Sequence, residues 1–169
     1  MGGKGSQFPS TRWSLILNVQ TQDETRRRLA TESLIEGYWK PVYCYLRKRG
    51  YGNEDAKDLT QDFFCEFFIG AKLLQAADRK IGRFRQLLLT ALGRFISNAE
   101  RDRKRKKRTP PGGILNFSSL QLAGVDLPVS AATPEQAFYY TWIADLLDQV
   151  LAEVKEQYSK SDMAKHWEI

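Results

Sequence analysis

Gln86, Thr90, Arg94, Asn98, Arg101 and Arg105 recur at spacings of 4, 4, 4, 3 and 4. On a helix they share one side. The first members can hydrogen-bond to base edges or backbone, and the last are cations that neutralise phosphate. A second stripe precedes it: Asp55, Asp58, Asp62 and Glu66 at spacings of 3, 4 and 4, with Gln61 alongside. Like charges so placed repel by a few tenths of a kcal/mol per pair, and a basic partner would relieve that. A third cluster, Lys80-Ile81-Gly82-Arg83-Phe84-Arg85, sets bases around a glycine and an aromatic ring, the ingredients for holding an unstacked nucleotide. Each has a plainer alternative: solvated helix faces for the two stripes, and a core position for Phe84.

Charge localises the cationic signal. The chain of 169 residues has 26 Lys and Arg against 20 Asp and Glu, a formal charge of +6. The block Arg101–Arg108 (RDRKRKKR) holds seven bases and one acid, and taking these away from 26 and 20 leaves 19 of each sign. The basic excess is one local block on a neutral protein, which points to a polyanion held at one place.

Enzyme chemistry finds no footing. No nucleophile elbow, Walker loop or HExxH occurs, and the only histidine is His166. The carboxylates of the acidic stripe are regularly spaced without a histidine, unlike a closed catalytic or metal site. Cys44 and Cys65 fall inside apolar helical patterns and read as buried thiols, with no zinc-ligand spacing. The expectation is a non-enzyme with no metal and no cofactor. No apolar run reaches the ~18 residues of a membrane span, and Met1–Ser6 lacks a signal peptide's apolar stretch. A flexible leader is preferred there over a myristoylated Gly2.

The elements that must position these side chains read as helices, so the expected class is all-α. Ser10 or Thr11 caps a short helix with Trp13, Ile16 and Leu17. Thr21-Gln22-Asp23-Glu24 has a capping-box pattern opening the next helix, whose apolar positions run from Ala30 to Leu46. Pro41 predicts a kink or restart inside it, and Gly50 an end. Asn53 is the expected cap of the helix bearing the acidic stripe, whose apolar side is Ala56, Leu59, Phe63 and Phe67. Gly70–Ala77 can form a further short helix, and residues 78–82 a loop. A long helix from about Arg83 to about Lys106 has Phe84, Leu88, Ala91, Leu92, Phe95, Ile96 and Ala99 as its core face. Residues 109–132 read as a linker, with Leu115–Leu122 able to dock. Thr133-Pro134-Glu135-Gln136 is a strong helix start, followed by a wide apolar face through Val154.

Gly50–Phe64 (GYGNEDAKDLTQDFF) and Gly82–Leu92 (GRFRQLLLTAL) resemble, in order and spacing, two motifs of bacterial RNA polymerase sigma factors of the sigma-70 family, extracytoplasmic-function type. The start, Phe8–Leu15, is similar to a subgroup common in planctomycetes, and Thr133–Tyr158 resembles the beginning of the family's second domain. The resemblance covers most of the chain. It implies a leader and short helix over 1–22, a helical domain like sigma region 2 over 23–108, the linker, and over 133–169 the first helix of a truncated domain like region 4.

The implied function is transcription initiation: binding core polymerase and recognising and melting the promoter −10 element, in the cytoplasm. Asp55, Asp58, Gln61, Asp62 and Glu66 would meet the basic clamp helices of the β′ subunit. Lys80, Arg83, Phe84, Arg85, Gln86, Thr90, Arg94 and Asn98 would capture the non-template strand, and Arg101, Arg103, Lys104 and Arg105 would hold backbone phosphate. Stacking costs about 1.4 kcal/mol per base-pair step, which captured bases must offset. An anti-sigma factor is a further implied partner; membrane insertion is not. Leu87 and Arg94 depart from the family, where Trp and Asn are common. No helix-turn-helix follows residue 133, so a −35 element would go unread. A piece of a longer protein is expected over a natural short form, and the chain alone would act as a competitor. The competing reading is a basic-tailed helical adaptor for nucleic acid or protein, unrelated to polymerase.

Overall fold

A computed structural model describes residues 13–69, 84–105 and 131–160, with side chains over 16–67, 84–101 and 131–159. Five helices account for these: α1 (Trp13–Val19), α2 (Glu24–Lys48), α3 (Asn53–Ile69), α4 (Phe84–Arg105) and α5 (Pro134–Lys160). No strand occurs among the described residues, and the fold is all-α. The segments expected as a leader, a short helix over 70–77, the loop at 78–82 and most of the linker lie outside the described residues.

Helix α2 is the axis. Asp23 caps it, its carboxylate accepting from the backbone N–H of Thr25 at 3.0 Å and of Arg26 at 3.1 Å. The sequence pattern suggested a capping box two residues earlier. Asp23 prevails because a carboxylate satisfies two orphan donors and complements the helix dipole, while the Thr21 hydroxyl accepts only from Asp23 N–H, at 3.4 Å. Pro41 does not end the helix: α2 runs through it, with Pro41 buried. Pro41 leaves the Gly37 carbonyl without its usual donor, and the helix continues past that one missing bond.

The end of α2 follows expectation. Gly50 adopts φ +103°, a left-handed conformation that glycine tolerates without strain. Tyr51 N–H then donates to Leu46 O at 3.2 Å and Gly50 N–H to Arg47 O at 3.1 Å, the paired closure of a Schellman turn. Asn53 is not the cap of α3. Its side-chain oxygen accepts from the Tyr43 hydroxyl at 2.6 Å and its amide donates to Glu54 at 3.0 Å, so it ties α3 back to α2.

Helices α3 and α4 run antiparallel. Phe63 meets Phe95 at 5.5 Å and Phe67 meets Phe84 at 6.5 Å between ring centroids, while Tyr51 donates to Glu100 at 2.7 Å. Helix α5 starts with a complete capping box. Gln136 N–H donates to Thr133 Oγ1 at 3.2 Å, and Thr133 N–H donates back to Gln136 Oε1 at 3.3 Å. It then runs back along α2, with Tyr45 donating to Glu135 and, farther on, Lys40 paired to Asp145 at 3.1 Å.

A single apolar core joins them. Tyr38 of α2 stands between Phe84 of α4, edge-on at 5.4 Å, and Phe138 of α5, stacked at 6.4 Å. Ile16 of α1, Phe63 and Phe64 of α3, and Leu88, Leu92 and Ile96 of α4 fill the same cluster. Ala131, Ala137 and Phe138 belong to it as well. The first half of the helix that resembles the opening of a second domain thus packs on the same core as α2 to α4.

Candidate nucleic-acid and protein interfaces on α3 and α4

The side of α3 turned to the core is Ala56, Thr60, Phe63, Phe64 and Phe67. Thr60 is the one buried hydroxyl there, and it donates to Ala56 O of its own helix at 2.6 Å, which lets it sit among rings without an unpaired donor. Burying that side turns the carboxylates the other way. Asp55, Asp58 and Glu66 are exposed, and Gln61 and Asp62 half-buried. Burial, with the neighbouring Asp58 charge adding to it, pushes the Asp62 carboxyl above the usual carboxylate range. The repulsion expected from the spacing is therefore present in the folded chain.

None of the ion pairs among the described residues involves Asp58, Asp62 or Glu66. Lys57, the one base on α3, pairs with Glu54 at 2.9 Å. The described residues hold no cluster of three or more metal-ligating side chains, and the acidic stripe has the open geometry of a surface rather than a cage.

On α4 the polar stripe is where its spacing predicts. Gln86, Thr90, Arg94, Asn98 and Arg101 are all exposed, while Phe84, Leu88, Ala91, Leu92 and Ile96 are buried. Thr90 donates to Gln86 O at 2.9 Å, leaving its oxygen as an acceptor. Arg101 donates to Ser97 O at 3.3 Å and to the Asn98 side-chain oxygen. These contacts hold the guanidinium along the helix, next to the amide. Lys80 and Arg83, and the side chains of Arg103, Lys104 and Arg105, lie outside the described residues.

Two residues expected to touch DNA sit elsewhere. Phe84 is core, wedged between Tyr38 and Phe67. Arg85 is only 8% exposed, with its guanidinium stacked over the Trp142 ring at 3.8 Å from the centroid. Neither presents a surface to a nucleic acid in this conformation. The reason for the difference at Arg85 is α5, whose Trp142 closes over the guanidinium. A desolvated cation–π stack is worth about 2 kcal/mol, yet Nε and Nη1 of Arg85 have no hydrogen-bond partner. Trp142 lies on the apolar face that follows the Thr133 helix start, and nothing in that periodicity pairs it with Arg85.

The second half of α5 carries Ile143, Leu147, Val150, Leu151 and Tyr158 in exposed positions. No described helix is long and apolar enough to cross a membrane. In comparisons with known proteins, no family model, no curated protein and no solved structure matches this chain.

Proposed function

We propose that the chain is a transcription initiation module that binds core RNA polymerase through the acidic stripe of α3 and the separated non-template strand of a promoter −10 element through the polar and cationic stripe of α4. One observation carries the reading. Two stripes of opposite character lie on the outer sides of antiparallel helices, exposed except for the half-buried Asp62, and no ion pair among the described residues joins Asp58, Asp62 or Glu66 to Arg94 or Arg101. Burial, and after it the Asp58 charge, raises the Asp62 carboxyl; a basic partner helix would favour its charged form and relieve the repulsion. On α4 the mix of amide, hydroxyl and guanidinium groups suits a strand read by hydrogen bonds and held by phosphate. The sequence resemblance names the partners; the charge layout is what makes them chemically apt.

The test is a pull-down of the isolated β′ clamp helices with the wild-type chain and with Asp58→Lys/Asp62→Lys. Retention by the wild type and loss in the double variant support the reading. Equal retention, or none in either, overturns it. The adaptor reading predicts nucleic-acid binding with steep salt dependence and no response to that charge reversal.

A further inference from the structure

We propose that Arg85 is a phosphate-binding residue that α5 keeps covered, and that moving Trp142 aside opens an anion site at the N-terminus of α4. The helix is 22 residues long. Its first N–H groups lack intrahelical acceptors, and its dipole favours an anion there. Arg85 lies in that first turn, where helical side chains lean towards the N-terminus. Its guanidinium is more than nine-tenths buried, with Nε and Nη1 unpartnered.

The geometry of the stack explains what is missing. Trp142 satisfies the face of the guanidinium, while its N–H donors point outward in its own plane. That edge is the fork that grips an oxoanion. An arginine keeps its charge wherever it is placed, and a buried charge without a counter-ion is a persistent cost. Asp145, the carboxylate nearest along α5 to Trp142, is spent on Lys40. The same pair, with Tyr45 and Glu135, joins α5 to α2 on either side of the buried Phe138.

Arg85 falls among the core positions around α4, roughly opposite Arg94, so the anion site it would open is distinct from the exposed stripe. Identifying the anion as a nucleic-acid backbone phosphate rests on the function proposed above; the anion site itself does not.

Phenylglyoxal labelling read by mass spectrometry tests the site, using the full chain, Trp142→Ala, and Asp145→Lys, which loosens α5 without touching the tryptophan. Arg85 should resist labelling in the wild type and react in both variants, and inorganic phosphate should then protect it. Binding of a fifteen-residue oligothymidylate should tighten roughly tenfold in the opened variants, the worth of one charge-assisted contact. The gain should vanish when Arg85→Gln is added. If Trp142→Ala fails to fold by circular dichroism, Asp145→Lys carries the test.

Equal labelling of Arg85 in all three proteins overturns the proposal. So does labelling in the opened variants that phosphate does not slow, because Arg85 would then be a structural pin between α4 and α5. Phosphate protection without oligothymidylate binding supports the anion site and removes the strand-binding role instead.

Discussion

The two halves of α5 carry similar apolar side chains to opposite ends. In the inner half, Ala137 and Phe138 are fully buried against α2, and Trp142 covers Arg85. In the outer half, Leu147 and Leu151 are both 54% exposed. Composition does not separate them; what separates them is whether α2 and α4 lie opposite. An apolar periodicity states that a face wants cover, and only the position of the neighbours decides which part receives it. Function follows the same line: the inner half governs access to the start of α4, and the outer half leaves the stripes on α3 and α4 untouched.

The largest effect expected from this contrast is at Phe138. Its ring stacks on Tyr38 at 6.4 Å and packs edge-on against Tyr139 at 5.6 Å. Phe138→Ala should lower stability by about 3–5 kcal/mol, the usual range for a buried aromatic truncated to alanine. Urea denaturation measures it. A loss below about 1 kcal/mol would mean that the inner half is not seated on α2.

Cys44 gives a second probe of the same contact. Its thiol is buried and is pushed above the ordinary range chiefly by that burial, with Thr141 of α5 as a hydrogen-bond partner acting the other way. Cys65 is also raised, by burial and then by Asp62, but it is only half-buried. Both shifts reduce the reactive thiolate at mildly alkaline pH. Iodoacetamide should therefore modify Cys65 first and Cys44 only when α5 lifts, and Phe138→Ala should speed the second reaction selectively. Equal rates at the two thiols would break the contrast.

A smaller effect belongs to the cap that launches the inner half. Removing the Thr133 hydroxyl takes away the acceptor for Gln136 N–H, so Thr133→Ala should cost about 1 kcal/mol. The shift in urea midpoint, at unchanged slope, is the measurement.

What the sequence disclosed, and what it withheld, divides along the range of each signal. The α5 capping box, the Gly50 turn and the burial of Phe84, Leu88, Ala91, Leu92 and Ile96 on α4 depend on residues within one or two turns of each other, and all three stand in the fold. The start of α2 was misplaced by two residues because Thr21 and Asp23 both offer side-chain oxygens, and only the backbone path decides between them. Pro41 signalled a break, but one missing backbone bond does not end a helix whose following turns, Pro41 to Leu46, are buried in the core. The stripes of Asp58, Asp62 and Glu66, and of Gln86 to Arg101, were legible because helical spacing alone fixes which side they share. Arg85 was not: a base beside an aromatic ring at a helix start reads as surface, and what buries it is Trp142, far along the chain on α5.

The smallest expected effect is the sharpest test of the contrast. Leu147→Gln exchanges a leucine that is 54% exposed for a polar residue of comparable helix propensity. Little apolar area is returned to water, and no cavity forms. The change in stability should stay within about 0.5 kcal/mol, the range of surface substitutions. The Cys44 alkylation rate should not move, because Leu147 is exposed and lies beyond Thr141, the α5 residue that meets the thiol. A loss above about 1.5 kcal/mol would show that the outer half is covered in solution, and the two halves of α5 would then differ in what covers them rather than in whether anything does.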